Sequence, residues 1–331
     1  MKTNRRHFLA TAAVGIAGAG LASMIPDYLK AAEASTALPF KLALSQFSLA
    51  SQFWTKQLDP LDFPSKTMKS FGIAGLDYCS MFFPDKAKDA KFLAELKKRS
   101  ADSGCYNLRI MIDSEGVLGA IKSEERMKAI ENHYKWIDAA AALGCPMIRV
   151  NIEGEGNPDE VAKAAEESLN KLIEYGRTGN VDVIVENHVG MSCNGAWLAA
   201  VMKKMNNPHC GTLADFGNFC INRTKPPTND IAGWMTTKCL EEYDRYKGIE
   251  ELMPYAKGVH AKTHVFNSEG NDTETDFARM FQIIKKSGFT GWVSIEYEGG
   301  LLKMYGKDPK YLGDDEGVLA TKKLVEKVAL A

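Results

Sequence analysis

Four short stretches in the second half of the chain decide the fold: residues 181–187 (VDVIVEN), 211–218 (GTLADFGN), 258–264 (GVHAKTH) and 291–298 (GWVSIEYE). Each is a strand-forming run that reaches a potential metal ligand, in order Glu186, Asp215, His260 and Glu296. This oxygen-rich set suits Mn²⁺, Mg²⁺, Zn²⁺ or Co²⁺. A single carboxylate after a strand is usually a helix cap or loop charge, but four in a regular rhythm predict a shared metal site.

The same alternation of strands and helices extends over the rest of the chain. Further strands are predicted at residues 41–47, 74–80, 106–113 and 145–151. Helices are predicted near residues 60–71, 87–103, 123–143, 157–175, 197–205, 239–253, 276–287 and 317–330. Alternating strands and helices imply a parallel sheet, and eight units without a break predict an α/β fold, a single-domain (β/α)8 TIM barrel. A doubly wound open sheet would need a glycine-rich first turn, which the sequence lacks.

The barrel predicts where the polar side chains meet. Its active site lies at the carboxyl ends of the strands, and residues two apart in a strand share one face. The side chains expected to line the mouth are Arg149, Asn151, Glu186, His188, Asp215, His260, Lys262 and Glu296. The segment after residue 218 contains two prolines and little periodicity, and is expected to cover this mouth.

Composition excludes several classes of function. A formal net charge of −1 over 331 residues opposes a nucleic-acid or anionic-membrane partner, which would require a basic excess. The seven cysteines form no C-x-x-C pair, so neither a zinc ribbon nor a redox motif is predicted. Most of them are interpreted as small buried residues.

The amino-terminal segment is interpreted as an export signal, with the barrel domain spanning residues 35–331. Residues 3–9 (TNRRHFL) precede an Ala/Gly-rich run and resemble a twin-arginine signal peptide, predicted to cover residues 1–34. The run is short and glycine-rich for a transmembrane span. We therefore expect a periplasmic or otherwise exported protein, without a stable membrane anchor after cleavage.

Residues 40–330 resemble the xylose isomerase-like TIM-barrel superfamily, also called the sugar phosphate isomerase/epimerase family. The most specific pieces are residues 183–190 (VIVENHVG), 213–218 (LADFGN), 258–264 (GVHAKTH) and 291–299 (GWVSIEYEG). The resemblance implies one divalent metal ion held by Glu186, Asp215, His260 and Glu296. His264, two residues beyond His260, is the alternative histidine ligand.

The resemblance also bears on the substrate. In its ketose 3-epimerase branch the two glutamates move the proton, and a histidine commonly stands three residues after the metal-binding aspartate. Here that position is Asn218, which puts a ketohexose substrate in doubt. Some exported relatives are thought to act on 3-keto-glycosides. The DNA-repair endonuclease branch uses a multi-zinc centre that needs more histidines than this chain supplies.

These residues suit proton transfer next to a carbonyl. A divalent metal ion, with Mn²⁺ preferred, acidifies the neighbouring C–H so that an enediolate is reachable. Glu186 and Glu296 are assigned as acid and base, and Lys262 as the cation that steadies the developing charge, with Arg149 as an alternative. The residues assigned to substrate binding are Arg149, Asn151, His188, Asn218 and His264.

The sequence therefore predicts a metal-dependent sugar isomerase or epimerase. No phosphate cradle or arginine cluster is apparent, so the carbohydrate substrate is expected to be a small, non-phosphorylated sugar or derivative. The alternatives are a 3-keto-glycoside lyase or hydrolase on the same metal site, and a non-catalytic sugar-binding barrel. Association into a homo-oligomer is left open.

Overall fold

The structure, a computed structural model, describes residues 38–228, 230–306 and 308–331. The predicted signal peptide and the predicted domain start at residue 35 lie outside these ranges. The strands are β1 (Lys41–Ser45), β2 (Gly75–Cys79), β3 (Tyr106–Met111), β4 (Met147–Val150), β5 (Asp182–Glu186), β6 (Cys210–Asp215), β7 (Cys220–Arg223), β8 (Cys239–Glu242), β9 (Ala256–Thr263) and β10 (Trp292–Tyr297). All except β7 and β8 pair in parallel and close into a barrel, in the order β1-β10-β9-β6-β5-β4-β3-β2. The predicted TIM-barrel fold is confirmed.

Helices surround the barrel. They are α1 (Ala50–Trp54), α2 (Phe63–Lys66), α3 (Ala90–Asp102), α4 (Ser123–Leu143), α5 (Pro158–Arg177), α6 (Gly195–Met205), α7 (Ile231–Met235), α8 (Arg245–Leu252), α9 (Phe277–Ser287), α10 (Gly299–Gly306) and α11 (Asp314–Ala329). Capping side chains and glycines determine where these helices begin and end. Asn157 caps α5 by accepting the Asp159 amide, and Gly144 ends α4 in the left-handed conformation. Among the described residues, no helix is both long and apolar enough to cross a membrane.

The segment after β6 differs from the prediction. A helix was expected near residues 239–253, but Cys239–Glu242 forms a strand that pairs antiparallel with β7, and the helix begins only at Arg245. A disulfide joins Cys220 to Cys239, which the interpretation of the cysteines as mostly small buried residues did not anticipate, and the other five cysteines are free. In residues 239–242, pairing with β7 and the disulfide outweigh the helix propensity of the sequence. Asp244 then caps the amino terminus of α8.

The barrel strands separate an apolar outer layer from a polar interior. In β10, Val293 and Ile295 are fully buried within the hydrophobic cluster between sheet and helices. Ser294 and Glu296 alternate with them and make hydrogen bonds inside the barrel. This period-two alternation aims the polar side chains at the barrel axis.

We expect the disulfide to stabilise the β7–β8 hairpin more than the barrel. Cys239→Ser frees a loop closed over 19 residues, for which a disulfide typically contributes about 3 kcal/mol. Trypsin should then cleave the variant faster between Arg223 and Lys238, while the thermal unfolding of the barrel changes little. Cys105→Ser, at an unpaired and partly exposed cysteine, is the matched control. Equal cleavage of both variants would contradict the prediction.

Candidate metal centre

The four predicted metal ligands come together at the carboxyl ends of neighbouring barrel strands. One ligand atom from each of Glu186, Asp215, His260 and Glu296 lies within 4.8 Å of all the others, and all four residues are buried. His260 Nδ1 lies 2.9 Å from Glu186 Oε1, 3.2 Å from Glu296 Oε2 and 3.8 Å from Asp215 Oδ2. His264 is not part of this group, so the geometry favours His260 as the histidine ligand.

The chain anchors one oxygen of Glu296 and one of Asp215. Ser45 Oγ donates to Glu296 Oε1 over 2.8 Å. Asp215 Oδ1 accepts from the backbone amides of Gly217 and Asn218, both at 2.8 Å. The second oxygen of each carboxylate is thereby left facing the cluster.

Asn187, which sequence reasoning did not single out, positions the aspartate. Its side-chain amide donates to the Asp215 carbonyl over 2.9 Å and accepts from the Asp215 amide over 2.8 Å. It also donates to the Asn218 carbonyl over 3.0 Å. A residue directly after β5 therefore fixes the backbone that carries the ligand on β6.

Arg149 is part of an ion-pair network beside Glu186. Arg149 Nε lies 2.8 Å from Glu186 Oε2, and Nη1 donates to Asp113 Oδ1 over 2.8 Å. Asn151 donates to the same Asp113 oxygen over 3.1 Å. The predicted substrate residues Arg149 and Asn151 thus also hold each other through Asp113, another residue that was not anticipated.

Lys262 is a buried cation among carboxylates. Its Nζ donates to Glu298 Oε1 over 2.8 Å and to Asn218 Oδ1 over 3.1 Å. It lies 3.3 Å from Glu296 Oε2 and 3.8 Å from Asp215 Oδ2. The lysine therefore stands beside two of the four clustered ligands.

His188 and His264, the two histidines assigned to substrate binding, lie in different electrostatic surroundings. Burial lowers the pKa of His188, and its Nδ1 is a buried atom without a hydrogen-bond partner among the described residues. His264 Nδ1 contacts Glu274 over 3.0 Å and Nε2 contacts Glu298 over 3.4 Å. Burial lowers the pKa of His264, but these carboxylates raise it by more, to about 10. His188 is thus a neutral polar group, and His264 is held as a cation.

A further layer lies under the cluster. His260 Nε2 is 3.4 Å from Asp77 Oδ2, and Arg109 Nε donates to Asp77 Oδ1 over 2.8 Å. Neither Asp77 nor Arg109 was predicted as a site residue. The signal was present: a charged residue stands within each of the two strands β2 (GLDYC) and β3 (YNLRIM), among mostly apolar neighbours.

Burial and the neighbouring charges shift the pKa values of the clustered residues. Burial raises the pKa of Asp215 well above its usual range, and the Glu296 and Glu186 carboxylates raise it further against the opposing effect of Lys262. For His260, burial lowers the pKa, but Glu296 and Glu186 raise it well above its usual range. Protons on these side chains would relieve the repulsion between carboxylates, and so would a divalent cation.

The residues fit a metal ion. Atoms that lack a hydrogen-bond partner within the described part of the chain include Glu186 Oε1, Asp215 Oδ2 and His260 Nδ1, whereas Glu186 Oε2 forms the ion pair with Arg149. Unpartnered buried polar atoms are uncommon, and here they face one another. Oxygen and imidazole ligands together suit Mn²⁺, Zn²⁺ or Co²⁺ better than a purely hard oxygen site would.

Comparisons with known proteins agree with this fold. The model of the xylose isomerase-like TIM barrel family matches residues 68–315, and the chain belongs to that family. No curated protein matches the sequence.

Several solved structures share the fold. D-psicose 3-epimerase from Clostridium cellulolyticum H10, solved with D-tagatose, has a TM-score of 0.61 at 13% identity, covering 88% of this chain and 99% of its own. A sugar phosphate isomerase/epimerase from Parabacteroides distasonis gives 0.60 at 17% identity, with 90% and 97% covered. The 3-keto-D-glucoside 4-epimerase of E. coli gives 0.54 at 15% identity, with 78% and 91% covered.

Metal binding is expected to strengthen as the pH rises. The raised pKa of His260 keeps a proton on the imidazole through neutral pH, and the cation must displace it. Mn²⁺ affinity, measured by competition with a chelator, should increase between about pH 6 and about pH 8 by about tenfold per pH unit for each proton displaced. His264→Gln is the control. Because His264 lies outside the cluster, this substitution should leave the dependence of Mn²⁺ affinity on pH unchanged. An affinity independent of pH would contradict this.

Proposed function

We propose that this protein is a divalent-metal-dependent sugar isomerase or epimerase acting on a non-phosphorylated sugar or sugar derivative. The observation that carries the proposal is the convergence of four buried ligand atoms, from Glu186, Asp215, His260 and Glu296, beside the buried cation Lys262. Membership of the xylose isomerase-like family supports it, as does the shared fold of structures described as sugar epimerases.

The metal ion would be held by those four residues, with Mn²⁺ as the preferred species. When bound, a divalent cation supplies Lewis acidity, which acidifies the C–H next to a substrate carbonyl. No phosphorylated substrate is needed for this chemistry.

Glu186 and Glu296 would move the proton. Glu186 Oε1 and Glu296 Oε2 approach His260 Nδ1 from β5 and β10, within 2.9 Å and 3.2 Å. Burial raises the pKa of both carboxyls, but Arg149 and His260 lower that of Glu186, and His260 and Lys262 lower that of Glu296, by more. Both are therefore carboxylates near neutral pH, ready to accept a proton.

Lys262 and the neutral polar groups would bind the substrate. Lys262, which is almost fully buried, can donate from Nζ to a substrate oxygen on which negative charge develops. His188 Nδ1 and Asn218 Nδ2, buried atoms with no hydrogen-bond partner among the residues that the structure describes, offer hydrogen-bonding capacity for hydroxyl groups. These contacts favour a polyhydroxylated ligand.

An uncharged substrate also fits the distribution of charge. Arg149 is already paired with Asp113 and Glu186, and Lys262 with Glu298 and Glu296. A phosphate or carboxylate would have to compete with these carboxylates for each cation.

Export through the twin-arginine pathway to the periplasm remains part of the proposal. The Cys220–Cys239 disulfide supports it, because disulfides persist in oxidising compartments.

Proton abstraction can be tested without knowing the product. The protein, loaded with Mn²⁺, is incubated in D₂O with free ketoses, aldoses and 3-keto-glycosides, and deuterium next to the carbonyl is measured by NMR. Glu186→Gln and Glu296→Gln should each lower the exchange rate by about 10²-fold or more. Glu274→Gln, outside the cluster, is the control, and metal content is measured in every sample. Binding without exchange for all substrates would instead favour a sugar-binding barrel.

Removing a carboxylate that pairs with Lys262 should change the selectivity between charged and neutral ligands. Glu298→Gln removes the carboxylate closest to Lys262, at 2.8 Å, and frees that cation. The affinity for a sugar acid relative to its neutral alditol should rise by about tenfold, corresponding to about 1.4 kcal/mol, in inhibition or calorimetric binding. Glu274 contacts His264 but not Lys262. In Glu274→Gln the ratio of sugar-acid to alditol affinity should therefore stay at the wild-type value. An unchanged ratio in Glu298→Gln would count against the proposed role of these ion pairs.

A further inference from the structure

Three side chains fill the barrel interior beneath the cluster: Asp77 on β2, Arg109 on β3 and Ser294 on β10. All three are fully buried. Besides its bond to Asp77, Arg109 donates from Nη2 to Ser294 Oγ over 3.2 Å, and Ser294 in turn donates to Asp77 Oδ2. None of the three belongs to the four-ligand group. They form a closed set of contacts, which we call the Asp77 network.

The Asp77 network meets the metal cluster at one point, the imidazole of His260. Asp77 Oδ2 lies 3.4 Å from His260 Nε2. A carboxylate only accepts hydrogen bonds, so this contact holds a hydrogen on Nε2. Nδ1, which faces the free oxygens of Glu186 and Glu296, is then the nitrogen that would give up its proton to a cation.

The backbone leaves room for this arrangement. Gly258 stands two residues before His260 on β9, and a Cβ atom there would lie 2.2 Å from Arg109 Nη1. Only glycine lets the guanidinium pass so close to the strand. The position of Arg109, and through it that of Asp77, is thereby fixed against the strand that carries the histidine.

We propose that Asp77 is a positioning residue that fixes the tautomer and ring orientation of His260, and that Arg109 and Ser294 act by holding its carboxylate. The inference rests on the proposed metal centre. Metal-binding histidines almost always donate their other ring N–H to a partner such as a carboxylate, and loss of that partner typically weakens metal binding by about 10–100-fold.

Asp77→Asn tests the proposal. The carboxylate accepts from Arg109, Ser294 and His260, whereas an asparagine has one acceptor oxygen and must turn its amide toward one of these donors. An amide group facing Nε2 favours the tautomer with hydrogen on Nδ1, which blocks the ligand atom. The dissociation constant for Co²⁺, measured by chelator competition, should rise by about 10–100-fold. The visible absorption of the protein at saturating Co²⁺ should also change, which a purely structural role would not produce.

Two further variants separate positioning from stability. Asp314→Asn alters another buried carboxylate, one that accepts from Ser51 and Gln52, and it should lower the melting temperature while leaving Co²⁺ affinity and spectrum unchanged. Ser294→Ala removes one donor to Asp77 without unpairing a charge. It should weaken Co²⁺ binding severalfold, and it keeps the test available if Asp77→Asn does not fold.

The outcomes distinguish this inference from the proposed function. If the wild-type protein binds Co²⁺ no better than His260→Ala, the metal centre and the positioning role are both wrong. If the wild type binds Co²⁺ through His260, but Ser294→Ala and any folded Asp77→Asn keep the wild-type affinity and spectrum, the positioning role alone is overturned.

Discussion

Repulsion between three buried carboxylates is the constraint on which the structure depends. Glu186, Asp215 and Glu296 each direct an oxygen to a space in which the ligand atoms lie within 4.8 Å of one another. Buried like charges at such separations are unfavourable unless protons or a cation compensate them. The surrounding chain prevents the carboxylates from relaxing apart, because each is also anchored by a hydrogen bond or an ion pair. Carboxylates held together in this way would favour a cation between them.

The barrel provides that rigidity through contacts between strands that are distant in sequence. Ser45, near the start of the described chain, holds Glu296 near its end. Asn187, directly after β5, accepts a hydrogen bond from the backbone amide of Asp215, at the end of β6. Because these anchors come from different strands, the four residues converge only where the barrel is closed.

The sequence was sufficient for the fold and for the four converging residues, and the reason is physical. Each ligand ends an apolar run, and parallel strands in a barrel bring such ends to the same rim. Asp77 and Arg109 were not predicted because they act from the middle of strands, where a buried charge has meaning only once its partner is known. The hairpin was missed because seven scattered cysteines do not reveal which two pair. Arg149 and Asn151 also both contact Asp113, and residue spacing alone could not indicate these contacts.

The packing beneath His260 also determines how molecules reach the centre. Asp77, Arg109 and Ser294 have no solvent exposure, and Gly258 is in close contact with the guanidinium. These buried side chains fill the barrel interior beneath the four clustered residues. Any small molecule that reaches the cluster would therefore have to approach and leave from the side of the carboxyl ends of the strands.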